Sequence, residues 1–210
     1  MNEKRRPLDS VTNHAVLKKI LTTIGDPPPS VYAPSDDSLL MIDAIANHPL
    51  TGKKILDMGT GSGVLSLYCA MHGAEVTASD VDRPAVEEVG RRADELGVQV
   101  KLCTSDLFSN ISDRFDLILF NPPYLPSVEV VDSTVDGGPG GTMLADRFLD
   151  ELPPHLSTAA EAFLLLSSIN YPIAIQLRHT DLEFVTVAKK SLFFEELQVL
   201  RVRLRDDLTV

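Results

Sequence analysis

Asn121-Pro122-Pro123-Tyr124 is the run of residues with the most specific chemistry in the chain. Two consecutive prolines fix the backbone, and neither carries an N–H that would compete for nearby carbonyls. The side-chain oxygen of Asn121 and the carbonyl of Pro122 then form two acceptors aimed at one point. Such a pair grips both hydrogens of a planar NH2 group, and the ring of Tyr124 stacks on whatever carries that group. An amide or aromatic amine nitrogen is a poor nucleophile because its lone pair is delocalised. No side chain deprotonates it at neutral pH. Orienting it for in-line attack supplies ~7–11 kcal/mol at the favourable extreme, and acceptors placed where positive charge develops add to that. Asn121, Pro122 and Tyr124 are the candidate catalytic residues, and Asn121, Pro122, Pro123 and Tyr124 the candidate substrate-binding set. Taken alone, the same residues also make an ordinary strand-ending turn.

The second constellation is Asp57-Met58-Gly59-Thr60-Gly61-Ser62-Gly63, a D-x-G-x-G-x-G pattern between an apolar strand and a helix. Glycines let the chain turn sharply and bring a ligand close to backbone N–H groups. The spacing is not the G-x-G-x-x-G of dinucleotide binders, and no G-x-x-x-x-G-K-[ST] phosphate loop occurs. Asp80 ends the next strand, 23 residues after Asp57, where an acid accepts hydrogen bonds from ribose hydroxyls. Asp106 follows the third strand and is placed for an adenine amine. Loop, context and Asp80 together point to a nucleoside. The leading acid favours a cationic one, because it attracts the amino group or sulfonium of S-adenosylmethionine and repels pyrophosphate. The plainer alternative is a tight turn with solvated acids.

LDMGTGSG followed by an acid at the next strand end resembles motifs I and II of class I S-adenosylmethionine-dependent methyltransferases. The resemblance implies that Asp57, Gly59, Thr60, Gly61 and Gly63 wrap the methionine part. It implies that Asp80 and Val81 hold the ribose side and that Asp106 and Leu107 flank the adenine. Tyr32, Ser38 and Asn121 complete the implied cofactor set, with S-adenosylhomocysteine as product. N-P-P-Y after the fourth strand resembles motif IV of the members that methylate adenine, guanine or glutamine side-chain nitrogen.

Further segments resemble the short archaeal and eukaryotic branch of the HemK-like glutamine methyltransferases. They are Val31-Tyr32-Ala33-Pro34-Ser35-Asp36-Asp37-Ser38, then Asp136-Gly137-Gly138 with Asp146-Arg147-Phe148, and Lys189-Lys190 with Phe193-Phe194-Glu195. Ala33 stands where that branch commonly has Glu. The resemblance covers roughly residues 31–204. It implies N5-methylation of the glutamine in the Gly-Gly-Gln motif of a class I translation release factor. It also implies a small zinc-binding activator docked on the third strand, which carries Val98, Val100, Leu102 and Cys103. Two alternatives stay open: an RNA or DNA amino-methyltransferase acting on adenine N6 or guanine N2, and a non-catalytic S-adenosylmethionine-binding scaffold. The histidines lack metal-ligand spacing, so no metal is expected.

Positioning these residues takes alternating strands and helices. Apolar periodicity predicts helices over 14–24, 39–46, 64–71, 84–96, 143–152 and 171–178, with Ser35 as a cap for the second. Strands are predicted over 54–58, 75–79, 98–103, 115–120, 162–166, 184–188 and 197–204. Alternation of this kind gives a Rossmann-like α/β fold, a mostly parallel seven-stranded sheet with helices on both faces. The last two strands have no long helix between them and are expected to close it as an antiparallel hairpin. Gly137, Gly138, Gly140 and Gly141 suggest a movable lid over the substrate. Residues 1–30 are expected to be an N-terminal extension, a helix plus a proline-rich linker, and residues 31–210 the methyltransferase domain.

Composition bounds the partners. The 210 residues are 44% hydrophobic and 23% charged, which excludes wholesale disorder. No apolar run spans a bilayer, and the charged start has no apolar stretch behind it, so a cytoplasmic location is expected. Cys69 and Cys103 read as small packing residues of a reducing compartment. The net charge of −11 localises: residues 1–30 carry +2, 31–170 carry −13, and 171–210 are neutral. A middle this acidic disfavours a phosphate backbone as direct substrate.

Overall fold

A computed structural model describes residues 10–28, 31–126, 138–170 and 172–205. Five strands run parallel: β1 (Lys54–Met58), β2 (Glu75–Asp80), β3 (Val100–Thr104), β4 (Phe115–Phe120) and β5 (Leu156–Ser167). β6 (Leu182–Ser191) and β7 (Glu196–Leu204) form the expected antiparallel hairpin. The sheet order is β3-β2-β1-β4-β5-β7-β6, so β7 inserts between β5 and β6 and runs antiparallel to both. The Rossmann-like reading holds.

The central strands are apolar because both faces are covered. Side chains alternate between two cores: Ile55, Leu117 and Leu119 enter one, and Leu56, Ile118 and Phe120 the other. The first core is closed by α1 (Ser10–Ile24), α2 (Asp36–Ile45), α3 (Val64–Met71) and α4 (Arg83–Leu96), with Ile20, Met41 and Leu67 fully buried. The second is closed by α5 (Met143–Glu151) and α6 (Pro172–Arg178) through Phe148 and Ile175. Among the described residues, no helix is long and apolar enough to cross a membrane.

Three local expectations change. β5 begins at Leu156 rather than at residue 162. Its first half is Ser-Thr-Ala-Ala, which has no apolar alternation, and Ala159 interrupts it at φ +60° as the β4 register shifts between Phe115 and Leu117. Ser35 occupies the N-cap position of α2, but its hydroxyl makes no capping bond. The buried Asp37 instead accepts from the Ser38 amide and, at 3.1 Å, from its hydroxyl. The glycine segment is held where it is described: Pro139–Gly141 form a 3-10 turn whose Gly140 and Gly141 carbonyls are each 3.3 Å from Nδ2 of Asn170. Gly137, also expected in the lid, and Asp136 of the segment that carries the resemblance lie outside the described residues, as do Pro29 of the linker and Tyr171 of the sixth helix.

Candidate functional site

The sheet order reverses between β1 and β4, so the crevice at their carboxyl ends is the topological switch point where open α/β sheets bind ligands. The glycine turn leaves β1 there, and Asn121-Pro122-Pro123-Tyr124 leaves β4 beside it. Met58 and Phe120, the last residues of the two strands, are register partners.

Gly59, Gly61 and Gly63 all adopt positive φ, 63°, 49° and 78°, a region that side-chain-bearing residues avoid. The turn is stapled to the end of β2: Thr60 N–H donates to the Ser79 carbonyl at 2.9 Å, and Gly61 N–H donates to Oδ2 of Asp80 at 2.9 Å. Gly63 begins α3 against α4, and a Cβ there would stand 2.7 Å from Cγ2 of Val89. Gly59 remains exposed and Gly61 half-buried, so the backbone faces the crevice bare.

Asp57 lies behind this turn, 1% exposed. One carboxylate oxygen accepts from Thr60 Oγ1 (2.8 Å), Ser66 N–H (3.0 Å) and Ser66 Oγ (2.6 Å). Burial pushes its pKa up to about 6 against the pull of these hydrogen bonds. Its geometry is that of an internal organiser of the loop. Asp80 is also raised by burial, and its two oxygens accept from Gly61 N–H and, at 3.0 Å, from Asp82 N–H. Val81 beside it is 65% exposed. Asp106 is exposed and paired with Arg147 at 3.1 Å, while the Leu107 side chain turns into the second core at φ +46°. The leucine side chain at this position is committed to the core.

Oδ1 of Asn121 is buried and has no hydrogen-bond partner among the described residues. An unmet acceptor of this kind costs about 1–3 kcal/mol, a cost that an incoming N–H donor would remove. Pro122 is buried beneath, with Pro123 and Tyr124 half-exposed. Tyr124 is fixed at both ends. Its carbonyl accepts from Nδ2 of Asn170 at 2.7 Å. Its ring faces Asp37, and burial, followed by that carboxylate, drives the phenol pKa upward. Tyr32 donates to Oδ2 of Asp37 at 2.6 Å, and a Cβ on Gly61 would meet the Tyr32 Cβ at 3.6 Å. The glycine turn, the segment 32–38 and the residues after β4 therefore form one cluster. Asp106 sits at its outer edge with Arg147.

Sequence reasoning missed Asn170 and gave Asp37 no role of its own. Asp37 had a signal, being an acid within the apolar face of a helix. Asn170 had none, because its partners Tyr124 and Gly141 are 46 and 29 residues away.

This arrangement fits a cationic nucleoside cofactor. A bare glycine turn meets an acid at the second strand end, and an orphaned acceptor stands at the fourth. The methyltransferase small domain family matches residues 33–137, half of the chain. The chain belongs to this family. As a HemK-like class I methyltransferase it is an enzyme that uses S-adenosylmethionine. A Methanocaldococcus jannaschii protein, named a candidate protein N5-glutamine methyltransferase, is 34% identical over 181 residues, covering 82% of this methyltransferase and 91% of that protein. The release factor glutamine methyltransferase of Bordetella pertussis is 36% identical over 104 residues, which cover 46% of this chain and 38% of that longer protein. The methyltransferase also superimposes on a chain of the E. cuniculi Mtq2–Trm112 complex, described as responsible for methylation of the termination factor eRF1. The TM-score is 0.70 with 24% identity, covering 84% of this chain and 99% of that one.

Proposed function

We propose that this methyltransferase methylates N5 of a glutamine side chain, in the Gly-Gly-Gln motif of a class I translation release factor. Oδ1 of Asn121, buried and without a partner among the described residues, carries the reading. It and the Pro122 carbonyl accept the two N–H bonds of the primary amide, hold the nitrogen in line, and stabilise the positive charge it gains. Tyr124, held by Asn170 and Asp37, packs beside the amide plane. No general base is needed before transfer; the methylated nitrogen sheds its proton afterwards. The names of the relatives support glutamine as acceptor and a release factor as its carrier.

S-adenosylmethionine, when bound, supplies a methyl group on a cationic sulfur and leaves as S-adenosylhomocysteine. Gly59, Thr60, Gly61 and Gly63 would line its methionine part, with Asp57 organising them from behind. Asp80 and Val81 would take the ribose side, and Asp106 with the Leu107 backbone the adenine side. Tyr32, Ser38 and Asn121 would close the set. Residues 31–210 act as the methyltransferase domain behind the extension 1–30. A translation factor substrate implies a cytoplasmic location.

The outer edge of β3 is paired by no other described strand, and Leu102 on it is 41% exposed. An edge of this kind accepts an added strand. We assign it to a small zinc-binding activator; the Mtq2–Trm112 pairing supports a small partner as such. Hydrogen exchange on the complex should slow at residues 100–104; unchanged exchange there removes the assignment.

The acceptor is tested by incubating the protein, with activator, and labelled S-adenosylmethionine with release factor, duplex DNA and total RNA in separate reactions. Label is expected in the release factor and is lost when the glutamine of its Gly-Gly-Gln is changed to alanine. Label confined to nucleic acid refutes the proposal.

A further inference from the structure

Arg92 is 1% exposed, the largest fully enclosed side chain among the described residues, and nothing above gives it a role. It sits on the buried face of α4 with Ala85, Val86, Val89, Ala93 and Leu96. A guanidinium is rarely enclosed without partners that repay its desolvation. Two of its partners are carbonyls that matter elsewhere. Nη1 donates to the Ser62 carbonyl at 2.7 Å, inside the glycine turn. Nη2 reaches the Ile24 carbonyl at 3.4 Å, at the end of α1, and Oε1 of Glu88 at 3.0 Å. Nε has no partner among the described residues.

Each contact has a physical reason. The last carbonyls of a helix lack intrahelical partners and carry its negative dipole end, where a cation is favoured. Ile24 supplies such a carbonyl. Ser62 lies between Gly61 and Gly63, and its carbonyl is the point at which Arg92 grips the turn. The planar guanidinium spreads its donors over a rigid fork that spans two separate carbonyls, whereas a lysine offers its three donors from a single nitrogen. α1 is itself well seated: Ile20 and Ile24 are buried, and Oδ1 of Asn13 is 3.0 Å from Nε2 of His72 on the far end of α3.

We propose that Arg92 is a positioning residue for the cofactor turn, and that the N-terminal helix α1 is the fixed point against which it holds that turn. The extension is then a working part of the cofactor site. This rests on the assignment of residues 59–63 to S-adenosylmethionine.

The test uses the full chain with Arg92→Met and Arg92→Lys, titrated calorimetrically with S-adenosylhomocysteine and assayed with the acceptor. Arg92→Met should weaken cofactor binding at least tenfold and raise the cofactor KM equally, with the acceptor KM within twofold. Arg92→Lys, which keeps the charge and loses the two-way fork, should fall between. In the wild type, ligand should slow hydrogen exchange in residues 17–24, and Arg92→Met should abolish that protection. If Arg92→Met does not fold, the lysine variant and the wild-type exchange decide. Cofactor affinity within twofold of wild type in a folded variant overturns the proposal. So does unchanged exchange in 17–24 on ligand binding. A wild-type protein that binds no S-adenosylhomocysteine refutes the assignment of the turn instead, and the two failures are distinct.

Discussion

Asn121 carries two opposed energetic roles. As a buried acceptor without a partner among the described residues it costs the fold about 1–3 kcal/mol, and as the proposed ligand to the acceptor amide it would contribute to the rate. Asn121→Ala is therefore expected to lower kcat at least a hundredfold, far beyond the few-fold loss of cofactor affinity that follows from its place at the edge of the cofactor set, with thermal stability unchanged or raised. A parallel loss of stability and activity would make Asn121 structural. Asp57 gives a second prediction at this scale. Burial raises its pKa to about 6, above the unfolded value near 4. The folded state then holds the proton more tightly, so Asp57's contribution to stability falls as pH rises from about 4 to about 6 and is flat above. The shift corresponds to about 3 kcal/mol. Urea unfolding should show Asp57→Asn gaining on the wild type across that window; a pH-independent difference would contradict it. These two residues were legible from type and spacing. What their spacing could not say is that Asp57 turns its oxygen to Thr60 and Ser66, because that depends on how α3 docks.

At the scale of elements, the residues after β4 are held by the turn before α5 and the turn after β5. Asn170 joins them, and Gly141 fits between: a Cβ there would lie 2.1 Å from the Tyr124 carbonyl, on a backbone at φ +68°. Asn170→Ala and Gly141→Ala should each reduce kcat at least tenfold and raise the acceptor KM, with cofactor affinity unchanged. Steady-state kinetics and calorimetry check this, and an effect confined to cofactor binding would contradict it. The strands and most helices were readable because apolar periodicity reports burial directly. The clamp was not, since Gly138–Gly141 read as mobility when nothing in the sequence named Asn170 as its partner. Arg92 is an intermediate case. Its place on the helix follows from the spacing of Val89, Ala93 and Leu96, yet the carbonyls it meets come from two other elements.

For the whole molecule, charge and topology bear on what the site accepts. The net charge of −11 is concentrated between residues 31 and 170, the stretch that builds the crevice. Binding a phosphate backbone through 6–10 contacts would lose about 10³–10⁵ in affinity between 50 and 200 mM salt. Transfer to a release factor is expected to change less than tenfold over that range, measured as kcat/KM. A slope steep enough to match counterion release would favour a nucleic acid. The sheet order also leaves two edges, β3 and β6, of which β3 lies next to β2 and its cofactor-side Asp80. A partner added there would stiffen the cofactor half of the site. Sequence alternation gave the parallel strands in order, whereas the insertion of β7 between β5 and β6 depends on pairing that no local pattern encodes.

The most direct test of the account is the position of the methyl group itself. After reaction with the full chain and its activator, the release factor is digested and the Gly-Gly-Gln peptide fragmented by mass spectrometry. One added methyl group is expected on the side-chain nitrogen of that glutamine, absent with the Asn121→Ala enzyme. A methyl group on any other residue, or an unmodified release factor alongside methylated RNA or DNA, contradicts it.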